Sequence, residues 1–221
     1  MNSSNIGLII LAAGASTRMG TPKQLLPYQG CSFIRHIAEV AICASSFRAA
    51  PKEQQRFAIA SVYQPIAVVL GANAERIKPE LSQLPVQIVE NQQWAEGMSS
   101  SIRVGLEALN TVNQNLEAVA IALCDQPFVS SQTLEQIVEA YRFTGKPIIA
   151  SEYSGTLGVP VLFSRALFSE LMDLKSTQGA KQLIRKHIHE VFSVPFPEGA
   201  IDIDTPKDYE QFQTLIESIE G

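Results

Sequence analysis

Residues 7–20 read GLIILAAGASTRMG, and this stretch indicates the class of fold. The stretch opens with an uninterrupted apolar run, rich in β-branched side chains, which is typical of a strand buried on both faces. The run ends at Ala12 and passes directly into a loop of small residues around Gly14. Small residues let a ligand approach the backbone closely, and successive N–H groups in such a loop form an anion-binding concavity.

Six further apolar runs of strand-like length follow along the chain, at 66–70, 86–89, 118–123, 147–150, 159–163 and 191–196. Between some of these runs, apolar residues recur with the spacing of one helix face. These sets are Phe33, Ile37 and Val40; Met98, Ile102, Leu106 and Leu109; and Leu134, Ile137, Val138 and Tyr141. Strands that alternate with helices pair in parallel and carry helices on both faces of the sheet. The sequence therefore predicts an α/β fold with a mostly parallel central sheet.

The last predicted helix has a defined start. Thr205 suits the N-cap, Pro206 suits the first helical position, and Asp208 stands three residues after the cap. The face that we expect to pack on the core carries Tyr209, Phe212, Leu215, Ile216 and Ile219. The segment 45–64 shows no clear period, and we interpret it as a helix extension followed by a surface excursion.

Length and composition limit the class of protein. The 221 residues suit one domain, and an apolar fraction of 46% fits a globular chain. The formal net charge of −5 argues against nucleic acid as a main partner, because a phosphate backbone needs a basic surface. We expect no contact with a membrane, since no apolar run reaches the roughly 18 residues of a spanning helix. The 3 cysteines lack C-x-x-C spacing and fit a cytoplasmic protein.

Two positive side chains, Arg18 and Lys23, follow the loop closely in the sequence. A planar guanidinium and a compact ammonium both suit phosphate oxygens. Two widespread phosphate motifs do not fit this loop. Gly14 and Gly20 are too far apart for a Walker A motif, and the G-x-G-x-x-G pattern of dinucleotide dehydrogenases is missing.

The string LAAGASTRMG, followed by TPKQLLP, resembles the signature of the MobA-like nucleotidyltransferases. That family has a Rossmann-like three-layer fold and transfers NMP from an NTP with Mg²⁺. The resemblance implies that a loop of Leu11, Ala12, Ala13, Gly14 and Ser16 binds the nucleotide, and that Arg18 and Lys23 neutralise its triphosphate. Ala12-Ala13-Gly14 resembles the branch that acts as molybdenum cofactor cytidylyltransferase, whereas the guanylyl branch usually has Ala-Gly-Gly there.

A polar stretch, NQQWAEGMSSS at 91–101, follows one predicted strand and opens a predicted helix. Free N–H groups at a helix start favour an anion or a base edge. The stretch resembles the family pattern N-x-x-W-x-x-G-M-x-x-S, which implies that Asn91, Gly97 and Ser100 contact the nucleotide. Helix capping alone would also explain a serine cluster, so that alternative stays open.

Asp125 directly follows the predicted strand 118–123 and Cys124. A carboxylate at the carboxyl end of a central strand faces the ligand crevice, and its hard oxygens suit Mg²⁺. The family usually has G-D-Q-P here, with a metal-binding aspartate, and Cys124 replaces the glycine. In DIDTPKD at 202–208, Asp202 and Asp204 alternate along a predicted strand, so only one should share a face with Asp125. The matching family pattern implies that Asp204 is the second metal ligand.

Two stretches resemble the acceptor side of the family. GVPVLF at 158–163 resembles the strand that borders the acceptor, and residues 176–181 stand at the family's G-D-x-G-A-R turn. In that turn the acidic residue is missing and Lys181 replaces arginine. Within a single domain of residues 1–221, we expect a nucleotide-binding part near 1–125 and an acceptor-binding part near 126–221.

The combined features predict an enzyme that transfers CMP from CTP to the phosphate of molybdopterin and releases pyrophosphate. Lys23, Arg18 and Asp125 are the predicted catalytic residues, and Mg²⁺ is expected on Asp125 and Asp204. Three alternatives stay open: GTP as the donor, a sugar or polyol phosphate as the acceptor, and a non-catalytic carrier of the molybdenum cofactor. The expected partners are small molecules, and a molybdoenzyme or its maturation factor stays open as a protein partner.

Overall fold

The computed structural model describes residues 5–44, 62–175 and 179–220. Within these ranges the main sheet consists of β1 (Ile6–Ala12), β4 (Ile66–Leu70), β5 (Gln87–Glu90), β6 (Ala118–Leu123), β7 (Ile148–Tyr153), β8 (Thr156–Ser164) and β9 (Val191–Pro195). A small ribbon consists of β2 (Pro27–Tyr28) and β3 (Cys31–Ser32). The helices are α1 (Phe33–Cys43), α2 (Ala74–Leu81), α3 (Met98–Val112), α4 (Ser131–Thr144), α5 (Phe168–Met172), α6 (Ala180–Lys186) and α7 (Pro206–Glu220).

The strand order of the main sheet is β5-β4-β1-β6-β8-β7-β9. Neighbouring strands are parallel except where β8 pairs with β6 and β7. Ser154 and Gly155, both with positive φ, join β7 to β8, and a two-residue turn of this kind matches the twist of a hairpin. The mostly parallel α/β sheet is thus confirmed, with one reversed strand that a strict alternation of strand and helix does not predict.

The central position of β1 explains its continuous apolar sequence, since all of its residues are buried. Leu8 and Ile10 belong to the core layer covered by α1, α2, α4 and α7. Ile9 and Leu11 belong to the opposite layer, covered by α3, α5 and α6. Because successive strand residues point to opposite faces, a strand covered on both faces needs apolar residues throughout.

The amphipathic patterns predict α1, α3 and α4 correctly, whereas no pattern predicted α2, α5 or α6. Among the apolar-face positions whose burial the structure describes, which leaves out Ile219, two differ from the prediction. Met98 is 44% exposed because it lies in the first turn of α3, above the core. Leu215 of α7 is 38% exposed, while Phe212 on the same helix is 3% exposed.

The predicted start of α7 is confirmed. Thr205 N–H donates to Asp208 Oδ2 at 2.8 Å, and Asp208 N–H donates back to Thr205 Oγ1 at 3.2 Å. Phe212 packs edge-on against Phe33 and Phe128, with ring centroids 5.7 and 5.5 Å apart. These contacts hold the start of α7, and with it the preceding residue Asp204, against the body of the domain.

Two predicted features fall partly outside the described residues. Residues 45–61 of the predicted surface excursion lie outside. The described chain resumes beside the end of α1, where Val62 N–H donates to Ala44 O at 2.8 Å. Residues 176–178 of the acceptor turn also lie outside. No helix in the described ranges is long and apolar enough to cross a membrane.

Candidate active site

The carboxyl ends of β1 and β6 lie side by side, because the strands pair in parallel with Leu11 opposite Leu123. Asp125 therefore stands beside the loop that follows β1, at the edge where ligands bind to parallel sheets. The pairing continues beyond the strands, since Cys124 N–H donates to Leu11 O at 3.1 Å. The C-terminal segment joins this edge through Ile203 N–H, which donates to Asp125 O at 3.4 Å.

Lys23 lies at the centre of the site. Its ammonium group donates to Asp204 Oδ1 at 2.9 Å and also to Asp125 Oδ2. The side chains of Lys23 and Asp125 are only 16% and 18% exposed. Burial acts to lower the pKa of Lys23, but the two neighbouring carboxylates outweigh it and raise that pKa above its ordinary value. Lys23 is therefore a fixed positive charge at neutral pH.

Arg18 reaches the same cluster from the solvent side. Its Nη2 donates to Asp204 Oδ2 at 2.7 Å, although the Arg18 side chain is 70% exposed. An ion pair this exposed holds its partners weakly, so Arg18 can turn towards an incoming anion at small cost. The hydrogen bond from Lys23, with the attraction of Lys23 and Arg18, holds the pKa of Asp204 below its ordinary value despite some desolvation.

Asp202 also belongs to the cluster, which corrects the prediction from strand alternation. Residues 201–205 are irregular rather than a strand. Ile203, which stands between Asp202 and Asp204 in the sequence, is fully buried. Partial desolvation, followed by repulsion from Asp125 and Asp204, raises the pKa of Asp202 to about 6. The site therefore gathers three acidic groups around Lys23.

Asp125 offers an oxygen that suits a metal ion. Asp125 Oδ1 is buried and has no hydrogen-bond partner among the described residues, while Oδ2 accepts from Lys23. The described residues hold no group of three or more His, Cys, Asp or Glu side chains arranged for a metal. Mg²⁺ usually takes one or two protein carboxylates and fills its other positions with phosphates and water. The pair of Asp125 and Asp204 fits that donor set.

The loop after β1 is held by Gln24, a residue that the sequence analysis did not single out. Gln24 is 1% exposed, and its Nε2 donates to Ala12 O and Gly14 O, both at 2.9 Å. Ser16, with a φ of 54°, accepts from Lys23 N–H at 3.1 Å through its Oγ. In the sequence, Gln24 stands beside Lys23 at the unspecified position of the K-x-L-L-P motif, which does not indicate its role.

Gly71, at the end of β4, is a second site residue that the sequence analysis missed. Its neighbour Ala72 donates N–H to Ala13 O at 3.2 Å, which joins two loops. A Cβ on Gly71 would lie 2.5 Å from Ala13 O and 2.6 Å from Trp94 Cβ. Only glycine fits between these loops. Gly71 therefore determines how closely the 3-10 turn Trp94–Glu96, called the Trp94 turn below, approaches the loop after β1.

Asn91 and Ser100 form a separate buried network behind the Trp94 turn. They are 2% and 1% exposed, and Asn91 Nδ2 donates to Ser100 Oγ at 2.8 Å. Ser100 Oγ in turn donates to Gly97 O at 2.7 Å, and Gly97 has a φ of 107°. These bonds hold the entry to α3. Contact of Asn91, Gly97 and Ser100 with a nucleotide stays a prediction.

The structure thus brings together the predicted charged residues Arg18, Lys23, Asp125 and Asp204. Residues 8–191 of the chain match the model of the MobA-like NTP transferase domain. The chain belongs to the MobA-like NTP transferase family. This family assignment confirms the resemblance drawn from residues 11–27 and identifies a nucleotidyltransferase fold.

Two curated proteins align with different shares of this chain. The chain is 23% identical to the molybdenum cofactor cytidylyltransferase of Escherichia coli (strain K12), over 93% of this chain and 94% of that protein. It is 32% identical to the nicotine blue oxidoreductase of Paenarthrobacter nicotinovorans, over 61% of this chain. That second alignment spans only 56% of the oxidoreductase.

Two solved structures share the fold of this chain. The Rv0371c homologue from Mycobacterium sp. strain JC1 has a TM-score of 0.76 and 27% identity, covering 99% of this chain and 100% of that one. Rv0371c from Mycobacterium tuberculosis H37Rv, in complex with manganese, has a TM-score of 0.68 and 27% identity, covering 93% and 96%. These similarities confirm the three-layer, Rossmann-like architecture.

Proposed function

We propose that this protein transfers CMP from CTP to the phosphate of molybdopterin, or of its metal-bound form, and releases pyrophosphate. One observation carries the proposal. A partly buried Lys23, positively charged at neutral pH, bridges Asp125 and Asp204 beside a loop of small residues. This arrangement offers positive charge for phosphates and carboxylate oxygens for a divalent cation within one crevice.

The nature of the reaction determines what the protein must supply. An acceptor phosphate oxygen attacks the α-phosphorus of the NTP, a new P–O bond forms, and the bond to the β-phosphate oxygen breaks. The acceptor oxygen is already anionic at neutral pH, so no side chain has to remove a proton. The residues serve to position the groups and to neutralise charge, as in related phosphoryl transfers.

Each charged residue then has a distinct task. Lys23 stabilises the negative charge that develops on the transferring group, and Arg18 draws in the outer phosphates. Asp125 and Asp204 hold a divalent cation, for which we propose Mg²⁺, and such an ion supplies Lewis-acid stabilisation when it is bound. The manganese complex of the related Rv0371c supports a divalent cation here.

CTP and molybdopterin are the finer part of the proposal. Ala13 stands where the guanylyl branch of the family usually has glycine. The cytidylyltransferase of Escherichia coli aligns over 93% of this chain, which supports the same substrate pair. The cytoplasm is the compartment we propose, and a molybdoenzyme or its maturation factor is the protein partner we propose to receive the product.

A panel of substrates tests the proposal. Pyrophosphate release would be measured with each of the four NTPs and Mg²⁺, with and without molybdopterin. Release that needs molybdopterin and is fastest with CTP supports the full proposal. Release with another donor or a sugar or polyol phosphate would retain the transferase and replace its substrates. NTP-independent redox turnover would favour the activity named for the oxidoreductase relative, and cofactor binding without turnover would favour a carrier.

A further inference from the structure

We propose that Gln24 is a positioning residue that makes the loop after β1 selective for anions. It does so by occupying two of the loop's carbonyl groups, Ala12 O and Gly14 O, which would otherwise repel the triphosphate beside the N–H donors of the loop. The inference concerns how the proposed site binds its NTP and therefore rests on the proposed function. It adds a residue that touches neither metal nor substrate.

Five carbonyl groups of the loop, those of Leu11, Ala12, Ala13, Gly14 and Ser16, accept hydrogen bonds within the protein. Their donors are Cys124 N–H to Leu11 O at 3.1 Å, Gln24 Nε2 to Ala12 O at 2.9 Å, Ala72 N–H to Ala13 O at 3.2 Å, Gln24 Nε2 to Gly14 O at 2.9 Å, and Met19 N–H to Ser16 O at 3.0 Å. Gln24 alone thus accounts for two of these acceptors. A free carbonyl oxygen at either position would repel a phosphate oxygen that approached the loop.

In contrast to these carbonyl groups, three N–H groups of the same loop have no hydrogen-bond partner among the described residues. In the part of the chain that the structure describes, the backbone N–H groups of Gly14, Ala15 and Ser16 have no protein acceptor. Consecutive free N–H groups of this kind form a concave anion site, and we call the N–H groups of Gly14, Ala15 and Ser16 the N–H cradle. Gly14 is exposed and no atom lies within 4 Å of a Cβ built on it, so a ligand can reach the backbone there.

The chemistry of Gln24 explains why this side chain suits the task. Only the NH₂ end of its amide can donate to two carbonyl groups at once, and this requirement fixes the amide orientation. The other end, Oε1, accepts from Ser16 Oγ at 3.3 Å. All of its polar groups are therefore engaged inside the protein. At 1% exposure Gln24 cannot reach a ligand itself.

Gln24 also links the loop to the charged cluster. It follows Lys23 in a short 3-10 turn, Lys23–Leu25, so one turn presents the ammonium to two carboxylates and the amide to the loop. Ser16 Oγ accepts from Lys23 N–H at 3.1 Å and closes the connection. The distance between the N–H cradle and the Lys23 ammonium is thus set by neighbouring residues of one 3-10 turn.

The test measures binding of inorganic tripolyphosphate by calorimetry, which needs neither acceptor nor turnover. Gln24→Met keeps the volume of the side chain and removes its donors. We expect the Kd for tripolyphosphate to rise at least about tenfold in the folded variant, because two carbonyl groups are released towards the anion. Tyr63→Phe is the matched control. It also removes a buried donor to a backbone carbonyl, Leu134 O. Tyr63 precedes the amino end of β4, however, and the proposed ligand site lies at the carboxyl ends of the strands.

The control should lower the unfolding temperature and leave the Kd within about twofold. A Gln24→Met variant that is destabilised but binds tripolyphosphate as well as the wild type would overturn the proposal. Gln24→Leu, which also lacks the two donors and changes no residue that faces the anion, decides the question if Gln24→Met does not fold. Weaker binding supports the cradle, and an unchanged Kd contradicts it.

The outcomes also separate this inference from the proposed function. Loss of tripolyphosphate binding in the variants, with no pyrophosphate release by the wild type from any NTP and acceptor, would reject the transferase and retain the cradle. Normal turnover by a wild type that does not bind tripolyphosphate would reject the cradle and retain the transferase.

Discussion

Lys23 and Asp204 are 181 residues apart in the sequence, and a hydrogen bond of 2.9 Å joins their side chains. Lys23 comes from the turn after β1, whereas Asp204 directly precedes the capping box of α7. The two ends of the described chain therefore complete one site. Residues from both predicted parts, near 1–125 and 126–221, contribute to it, and the assignment of separate nucleotide and acceptor roles stays a prediction.

Lys23→Ala should lower kcat by about 10²–10³-fold, because a partly buried positive charge beside the reacting phosphate is lost. Binding of CTP should weaken less, since the charge matters most in the transition state. Steady-state pyrophosphate release and calorimetric CTP binding would be measured together. Lys146→Ala makes the same charge change at the amino end of β7 and should leave both values unchanged. A loss of binding that accounts for the whole kinetic effect would remove the transition-state role.

Asp125→Asn should lower turnover at least about 10²-fold while the protein stays folded, because Asp125 lies beyond the end of β6 and outside the apolar core. The variant should also bind Mn²⁺ more weakly, which electron paramagnetic resonance can measure. Glu117→Gln provides the control, since it makes the same charge change at the other, exposed end of β6. Near-normal turnover of Asp125→Asn at saturating Mg²⁺ would refute the metal role.

Ala13→Gly should narrow the preference for CTP over GTP. Ala13 O is held by Ala72 N–H, so the position of this residue relative to the neighbouring loop is fixed. The measurement is kcat/KM with each donor. Ala15→Gly controls for added flexibility in the same loop and should leave the ratio of the two values unchanged. Equal or higher kcat/KM for GTP in the wild type would contradict the assigned donor.

Asp202→Asn should stabilise the protein at neutral pH and have little effect near pH 4. Desolvation, with repulsion from Asp125 and Asp204, raises the pKa of Asp202 to about 6. A carboxyl group whose pKa is higher in the folded state favours folding when protonated, and that contribution disappears as the pH rises from about 4 through about 6. Thermal unfolding in the presence of a chelator, from pH 4 to pH 7.5, would check this. A pH-independent difference between variant and wild type would contradict it.

The parts of the fold that the sequence predicts are those with a strong local signal. β1 is central and covered on both faces, so its apolar run needs no context to be recognised. The start of α7 follows from Thr205, Pro206 and Asp208, because capping chemistry is local. By contrast, α2 contains Pro79 and few apolar residues, and it is a helix because Ile77 and Leu81 pack on the core.

The residues of the candidate site also fall into those that the sequence predicts and those that only the structure reveals. Arg18, Lys23 and Asp125 follow strands or flank the small-residue loop, so the rule for parallel sheets places them together. The roles of Gln24 and Gly71 depend on atoms distant in space, namely two carbonyl groups and the Trp94 turn. Asp202 joins the cluster because the chain at 201–205 is irregular, and period-two reasoning applies only to strands.

The most direct test of the central claim follows the α-phosphate of the donor. The wild-type protein would be incubated with CTP labelled at the α-phosphorus, Mg²⁺ and molybdopterin, and the labelled products would be separated. The account predicts that the label moves to the acceptor in step with pyrophosphate release, and that Asp125→Asn abolishes both. Label that remains in CTP, or appears only in free CMP while molybdopterin is unmodified, would contradict the account.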